Sequence, residues 1–209
     1  MNADNAYGMW VLVAFNAGLF YSFVWRWLAP ASKREWRSFG AFAGFILALF
    51  TEMYGFPLTI YLLSSYVGPL PFAEPFSHKS GNLWASLVLG SQWSWVLMLF
   101  GSLLIVAGFV LLAKGWKRIH AAQGGLVTDG IYARIRHPQY AGLMVLIAGT
   151  LVQWPTLVTL LMAPVLLLLY YRLARKEEWE LECKFGWAYQ GYRNRVPAFI
   201  PRLGLRSGE

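Results

Sequence analysis

Five apolar runs, at roughly 9–28, 39–67, 93–113, 138–153 and 155–172, dominate this 209-residue chain, and short loops separate most of them. A bilayer core about 30 Å thick needs about 20 helical residues. Such segments satisfy their backbone groups internally only as helices. The expectation is an all-α, polytopic membrane bundle of about five transmembrane helices. Composition agrees: 57% of the residues are hydrophobic and 13% charged, against about 25% charged in soluble domains. The fourth run is short, and Gln153-Trp154-Pro155 leaves almost no loop before the fifth. Proline stops a helix or sits in its first turn, so runs four and five are expected to form a tight antiparallel hairpin.

The net charge of +8 does not mark a nucleic-acid surface, because the cations sit in loops between apolar runs. Arg26, Lys33, Arg34 and Arg37 follow run one; Lys114, Lys117, Arg118, Arg134 and Arg136 follow run three; eight more follow run five. Only Lys79 falls on the other side. By the positive-inside rule the N-terminus is outside and the C-terminus cytoplasmic, in what reads as a bacterial inner membrane. Ala29-Pro30-Ala31 mimics a signal cleavage site, but Asp4 and the lack of Lys or Arg before the apolar run argue for an uncleaved first span. Segment 68–92 reads as a loop with a short interfacial helix near 83–89. The tryptophans gather at span ends, as an aromatic belt does. One cysteine, Cys183, and three histidines without ligand spacing give no metal centre.

Two polar stretches bracket the hairpin. Gly130-Ile-Tyr-Ala-Arg-Ile-Arg-His-Pro-Gln-Tyr-Ala-Gly142 places Arg134, Arg136 and His137 at a helix start. Proline in a first turn leaves N–H groups pointing outward, and helix N-termini favour anions. These cations also serve as plain topology markers. Beyond run five, Arg175 and Glu178 stand three apart and Glu178 and Glu182 four apart, so they share a helix face with Leu181 and Phe185. A solvated, ion-paired helix has the same pattern. Gly186 is expected to end that helix, and Tyr189, Tyr192 and Val196-Pro197 to lay an aromatic strap over the surface.

Taken together, Gly130, Tyr132, Arg136, His137, Pro138, Tyr140 and Gly142, then Glu177, Glu178, Leu181, Phe185, Gly186, Tyr189, Tyr192, Val196, Pro197, Ile200 and Pro201, form a joint pattern over 124–201. It resembles the isoprenylcysteine carboxyl methyltransferase and phospholipid methyltransferase superfamily of integral membrane enzymes. The resemblance implies a methyltransferase using S-adenosyl-L-methionine (SAM) and an acceptor drawn from the bilayer: an isoprenoid-like carboxylate, a thiol or a lipid amine. It divides the chain into N-terminal helices and outer loop (1–92) and a cofactor-wrapping part (93–209). Tyr132, Arg136, His137, Pro138, Tyr140, Gly142, Glu178, Tyr189 and Tyr192 would then bind the cofactor. Glu177 or Glu178, with Arg193 or Arg195, would lie near the transferred methyl. Ile131 stands where the family often has proline, and Ala198 where a basic residue is common. Membrane reductases of the sterol type, which use NADPH, look similar in this region, and a non-catalytic membrane scaffold is a third reading.

Glu52, in Thr-Glu-Met-Tyr-Gly-Phe-Pro, is the one acid within a span. Ionisable groups there cost about 2.5–3.5 kcal/mol and are functional candidates. Glu52 with Tyr54 lines an acceptor tunnel on one reading, and is a protonated interhelical donor on the other.

Overall fold

A computed structural model describes residues 10–27, 33–51, 91–122 and 124–201. Every regular element among them is helical. They are α1 (Trp10–Trp27), α2 (Lys33–Phe50), a 3-10 turn (Ser91–Trp93), α3 (Ser94–Ala121), a second 3-10 turn (Gly130–Ala133), α4 (Pro138–Gln153), α5 (Leu157–Phe185) and α6 (Trp187–Arg195). Runs one and four match α1 and α4 closely. α2 starts six residues before run two, because the basic loop residues Lys33, Arg34 and Arg37 join its first turns. The rest of run two, with Glu52, Tyr54 and the 83–89 segment, lies outside the described residues.

α3 and α5 are long and apolar enough to cross a membrane. Both overrun the apolar segments that predicted them: α3 adds Lys114 to Ala121, and α5 continues from Arg172 to Phe185 as a charged helix. α4, at 16 residues, extends only about 24 Å, short of a full core crossing.

The chain forms two compact units, residues 1–105 with 147–167, and 106–146 with 168–209. Each unit takes part of α3, α4 and α5. In the first, α1 packs on α2, with Val13, Phe42, Phe45 and Leu49 buried. The α4–α5 connection is three residues long. It is stapled by a reciprocal cap: Thr156 N–H donates to Thr159 Oγ1 at 3.0 Å and Thr159 N–H to Thr156 Oγ1 at 3.1 Å. Both threonines are buried, so the start of α5 leaves few donors unpaired.

α3 and α4 approach through glycines seven residues apart. In the first unit a Cβ on Gly101 would stand 3.0 Å from the Gly149 carbonyl oxygen. Gln153 Nε2 donates there to the Met98 carbonyl at 3.1 Å and to Ser102 Oγ at 2.6 Å. In the second unit a Cβ on Gly108 would meet the Gly142 carbonyl at 2.8 Å, and one on Gly142 the Gly108 carbonyl at 2.8 Å. Small residues let membrane helices come together where no hydrophobic effect drives them.

Candidate functional site

The second unit gathers both polar stretches of the sequence. A buried cluster of Tyr132, Tyr189, Tyr192 and Val196 takes Leu181 and Phe185 from α5 and Ile119, Leu126, Val127 and Ile131 around it. Tyr192 O–H donates to the Tyr132 carbonyl at 2.7 Å, and Tyr132 O–H to the Gly115 carbonyl at 3.3 Å. Gly186 ends α5 with φ +50°. A Cβ there would meet nothing within 4 Å, so the left-handed backbone, not space, calls for glycine. The chain then forms a helix, α6, where a strap was expected. Short aromatic spacing hid a helical face: Tyr189 and Tyr192 are three apart and both buried. The strap itself is confined to 196–199. There Arg136 N–H donates to the Pro197 carbonyl at 2.9 Å and His137 N–H to the Ala198 carbonyl at 3.0 Å. Position 198 acts here through its backbone, which any side chain supplies.

At the centre is Glu178, 3% exposed. Its Oε1 lies 2.8 Å from Arg136 Nη1 and 3.1 Å from His137 Nε2, and its Oε2 3.0 Å from Arg175 Nη1. A carboxylate taken out of water repays its desolvation only with close, multiple partners, and Glu178 has three. Burial alone would raise this carboxyl, which lies about two turns beyond the apolar stretch of α5. The His137 hydrogen bond and the charges of Arg136, His137 and Arg175 outweigh that and hold it below its ordinary value. Glu177 is turned to the other ring nitrogen, 3.8 Å from His137 Nδ1.

Aromatic rings extend the site. His137 lies against Tyr140 at 5.9 Å between centroids and Phe199 at 5.7 Å. Tyr140 stacks on the fully buried Tyr170 at 6.1 Å. Tyr189 Oη, Arg136 Nε and Gln139 Nε2 are among the buried polar atoms left without a well-formed hydrogen bond, with the Arg136 guanidinium lying beside the Tyr189 hydroxyl. Buried polar groups are almost always satisfied, so this gathering in one unit points to a polar ligand. Burial, with the Glu178 charge, pushes the Tyr189 hydroxyl up to about 12. It therefore stays a donor throughout the physiological range.

Not every expected residue joins this centre. Arg193 Nη1 pairs with Glu182 at 3.1 Å, where Gln190 Nε2 also donates at 2.8 Å. Arg195 Nε donates to the Gly191 carbonyl at 3.1 Å. Both arginines flank the buried Tyr189–Tyr192 stripe of α6, but their described contacts fasten α6 rather than reach Glu178. Gly142 faces the backbone of α3, so its role is helix packing. Pro138 is buried at the start of α4, beside Gly115 of α3. Arg175 and Gln139 were missed as site residues, although the three-residue Arg175–Glu178 spacing was visible.

Residues 93–182 match the model of the isoprenylcysteine carboxyl methyltransferase (ICMT) family. A protein-S-isoprenylcysteine O-methyltransferase of Schizosaccharomyces pombe is 43% identical over 79 residues, 37% of this chain and 34% of that protein. Methanethiol S-methyltransferase 2 of Bradyrhizobium diazoefficiens is 28% identical over 184 residues, 85% of this chain and 67% of that protein. The cobalt-zinc-cadmium resistance protein CzcN of Cupriavidus metallidurans is 32% identical over 133 residues, 60% of this chain and 61% of that protein. The chain thus spans about a third of the first relative and about two thirds of the others. Through the region 93–182, which carries Arg136, His137 and Glu178, the chain is similar to the ICMT-like superfamily.

Proposed function

We propose that this chain is an integral membrane methyltransferase that binds SAM at Glu178, Arg136, His137 and Tyr189 and methylates a lipophilic or small amphiphilic acceptor. The observation that carries the reading is the buried Arg136–Glu178–His137 cluster beside unsatisfied polar atoms. Its donor set suits this cofactor. Arg136, His137 and Tyr189 are donors for a carboxylate, and Glu178 is an acceptor for an ammonium. The rings of Tyr140 and Phe199 offer faces to a cationic sulfur. The cofactor, when bound, supplies a methyl group on that sulfonium.

The protein's part is placement. Holding two reactants in attack geometry is worth about 7–11 kcal/mol, and bilayer access brings an apolar acceptor to the site. For a thiol acceptor a proton must leave, whereas a carboxylate acceptor is already ionised at neutral pH. Glu178, held by Arg136, His137 and Arg175, is a poor acceptor of that proton, so the role falls to Glu177 beside the other ring nitrogen of His137. A small or lipophilic thiol is the acceptor to try first. The similarity to the methanethiol enzyme runs over 85% of this chain and so takes in residues from both halves. The positive-inside count supports cytoplasmic placement of this site.

Calorimetry on the purified chain in detergent, with S-adenosylhomocysteine and NADPH side by side, tests the proposal. Micromolar binding of S-adenosylhomocysteine alone is expected, lost in His137→Ala, whose backbone bond to Ala198 survives the change. Binding of NADPH alone would overturn it. Glu177→Gln should keep that binding and lose methyl transfer to a thiol.

A further inference from the structure

A second cluster of cations lies in the same unit and takes no part in the site above. An open groove of about 740 Å³ is lined by Lys114, Lys117 and Arg118 of α3 and by Arg134 from the loop, with Ala121 and Ile131 as its apolar wall. All four cations are exposed. Arg118 is pinned by Asp129 at 2.8 Å. Gly130, at φ +59°, leaves room for this: a Cβ would stand 3.1–3.4 Å from the Arg118 guanidinium. Lys114, Lys117 and Arg134 have no acidic partner in reach among the described residues. On α3 the exposed Val106 and Val110 precede Lys114 and Lys117 at three- and four-residue steps, so all four share one helix face. An exposed apolar stripe on a membrane-crossing helix runs directly into a cationic groove.

We infer that this groove holds the phosphate-bearing headgroup of an anionic glycerophospholipid, its acyl chain lying along Val106 and Val110. Charge complementarity selects the headgroup, and the stripe selects a lipid over a free anion. Basic recesses at helix ends bind anionic headgroups in this manner, at roughly fivefold in affinity per cation. The inference stands apart from the methyltransferase reading, since none of these residues borders Glu178.

The test places the full chain in nanodiscs of phosphatidylglycerol and phosphatidylcholine and counts retained lipid by native mass spectrometry. The wild type should retain phosphatidylglycerol preferentially. K114Q/K117Q/R134Q should lose that preference by roughly a hundredfold, while Lys117→Arg keeps it. An unchanged unfolding midpoint in pure phosphatidylcholine establishes that the triple variant is folded; should it fail to fold, Lys117→Gln alone must still lower the preference severalfold. Equal retention by wild type and folded variant would overturn the inference. So would full displacement of the lipid by inorganic phosphate at millimolar concentration, which would make the groove a free-anion site.

Discussion

Arg134 and Arg136 are two residues apart in one short loop, yet they meet opposite fates. Arg136 turns inward, almost wholly buried against Glu178. Arg134 turns outward into an open groove with Lys114 and Lys117. The difference follows from what faces each. Arg136 N–H is tied to Pro197 and its neighbour's to Ala198, so the strap closes over that side, and α5 delivers a carboxylate to it. Among the described residues, nothing acidic approaches Arg134. A buried cation must be paired, whereas an exposed one is held by solvent or an anionic surface. One basic loop thereby serves two chemistries.

The comparison breaks most readily at Glu178. Glu178→Ala strands two buried basic groups, and removing one partner of a buried pair costs about 3–5 kcal/mol. Denaturant unfolding in detergent should show this, with S-adenosylhomocysteine binding lost as well; a change under 1 kcal/mol would mean that the pair is hydrated. Acid should act on the same cluster. Because the folded carboxyl lies below its ordinary value of 4.5, its stabilisation is complete above that value and is lost as pH falls through the lowered one. A stability profile from pH 3 to 7 should fall at its acid end, and Glu178→Gln should flatten it. Lipid retention in the groove, which rests on lysine and arginine, should not follow that fall.

Gly142→Val separates packing from binding. The added atoms meet the Gly108 carbonyl and the Leu112 backbone, and overpacking costs about 1–3 kcal/mol. Ligand affinity, measured where the variant is folded, should stay near wild type. The smallest effect belongs to Asp129→Asn on the groove side. Its pair with Arg118 is 51% and 64% exposed, so stability should change by less than about 1 kcal/mol.

Much of this division was legible in the sequence. Apolar runs fixed the ends of α1 and α4 closely, because a helix inside a bilayer stops where apolar residues stop. They stopped short for α3, whose charged extension they did not foretell; for α5 the charge spacing beyond run five foretold the continuation up to Gly186. The Arg-His-Pro start of α4 and the Glu-Glu pair of α5 were readable as one site. That Glu178 rather than Glu177 holds both Arg136 and His137 was not, since a helix rotation of one residue decides it. Nor were the places of Arg193 and Arg195: their composition suits a site, but Glu182 and the Gly191 carbonyl engage them first. The seven-residue glycine spacing between α3 and α4 was present in the letters and becomes meaningful only once both helices are paired.

If the buried cluster in the second unit is built for a polar ligand, the Tyr189 hydroxyl is the group that reports it most directly. It is fully buried, the Arg136 guanidinium beside it can only donate, and among the described residues its own proton has no well-formed acceptor. A buried donor left unpaired costs about 1–3 kcal/mol. Tyr189→Phe should therefore leave the unliganded chain as stable as wild type or slightly more so. S-adenosylhomocysteine affinity should fall about tenfold, the worth of one hydrogen bond. Unchanged affinity with a loss of stability would contradict the account, making the hydroxyl a structural group and placing the ligand elsewhere.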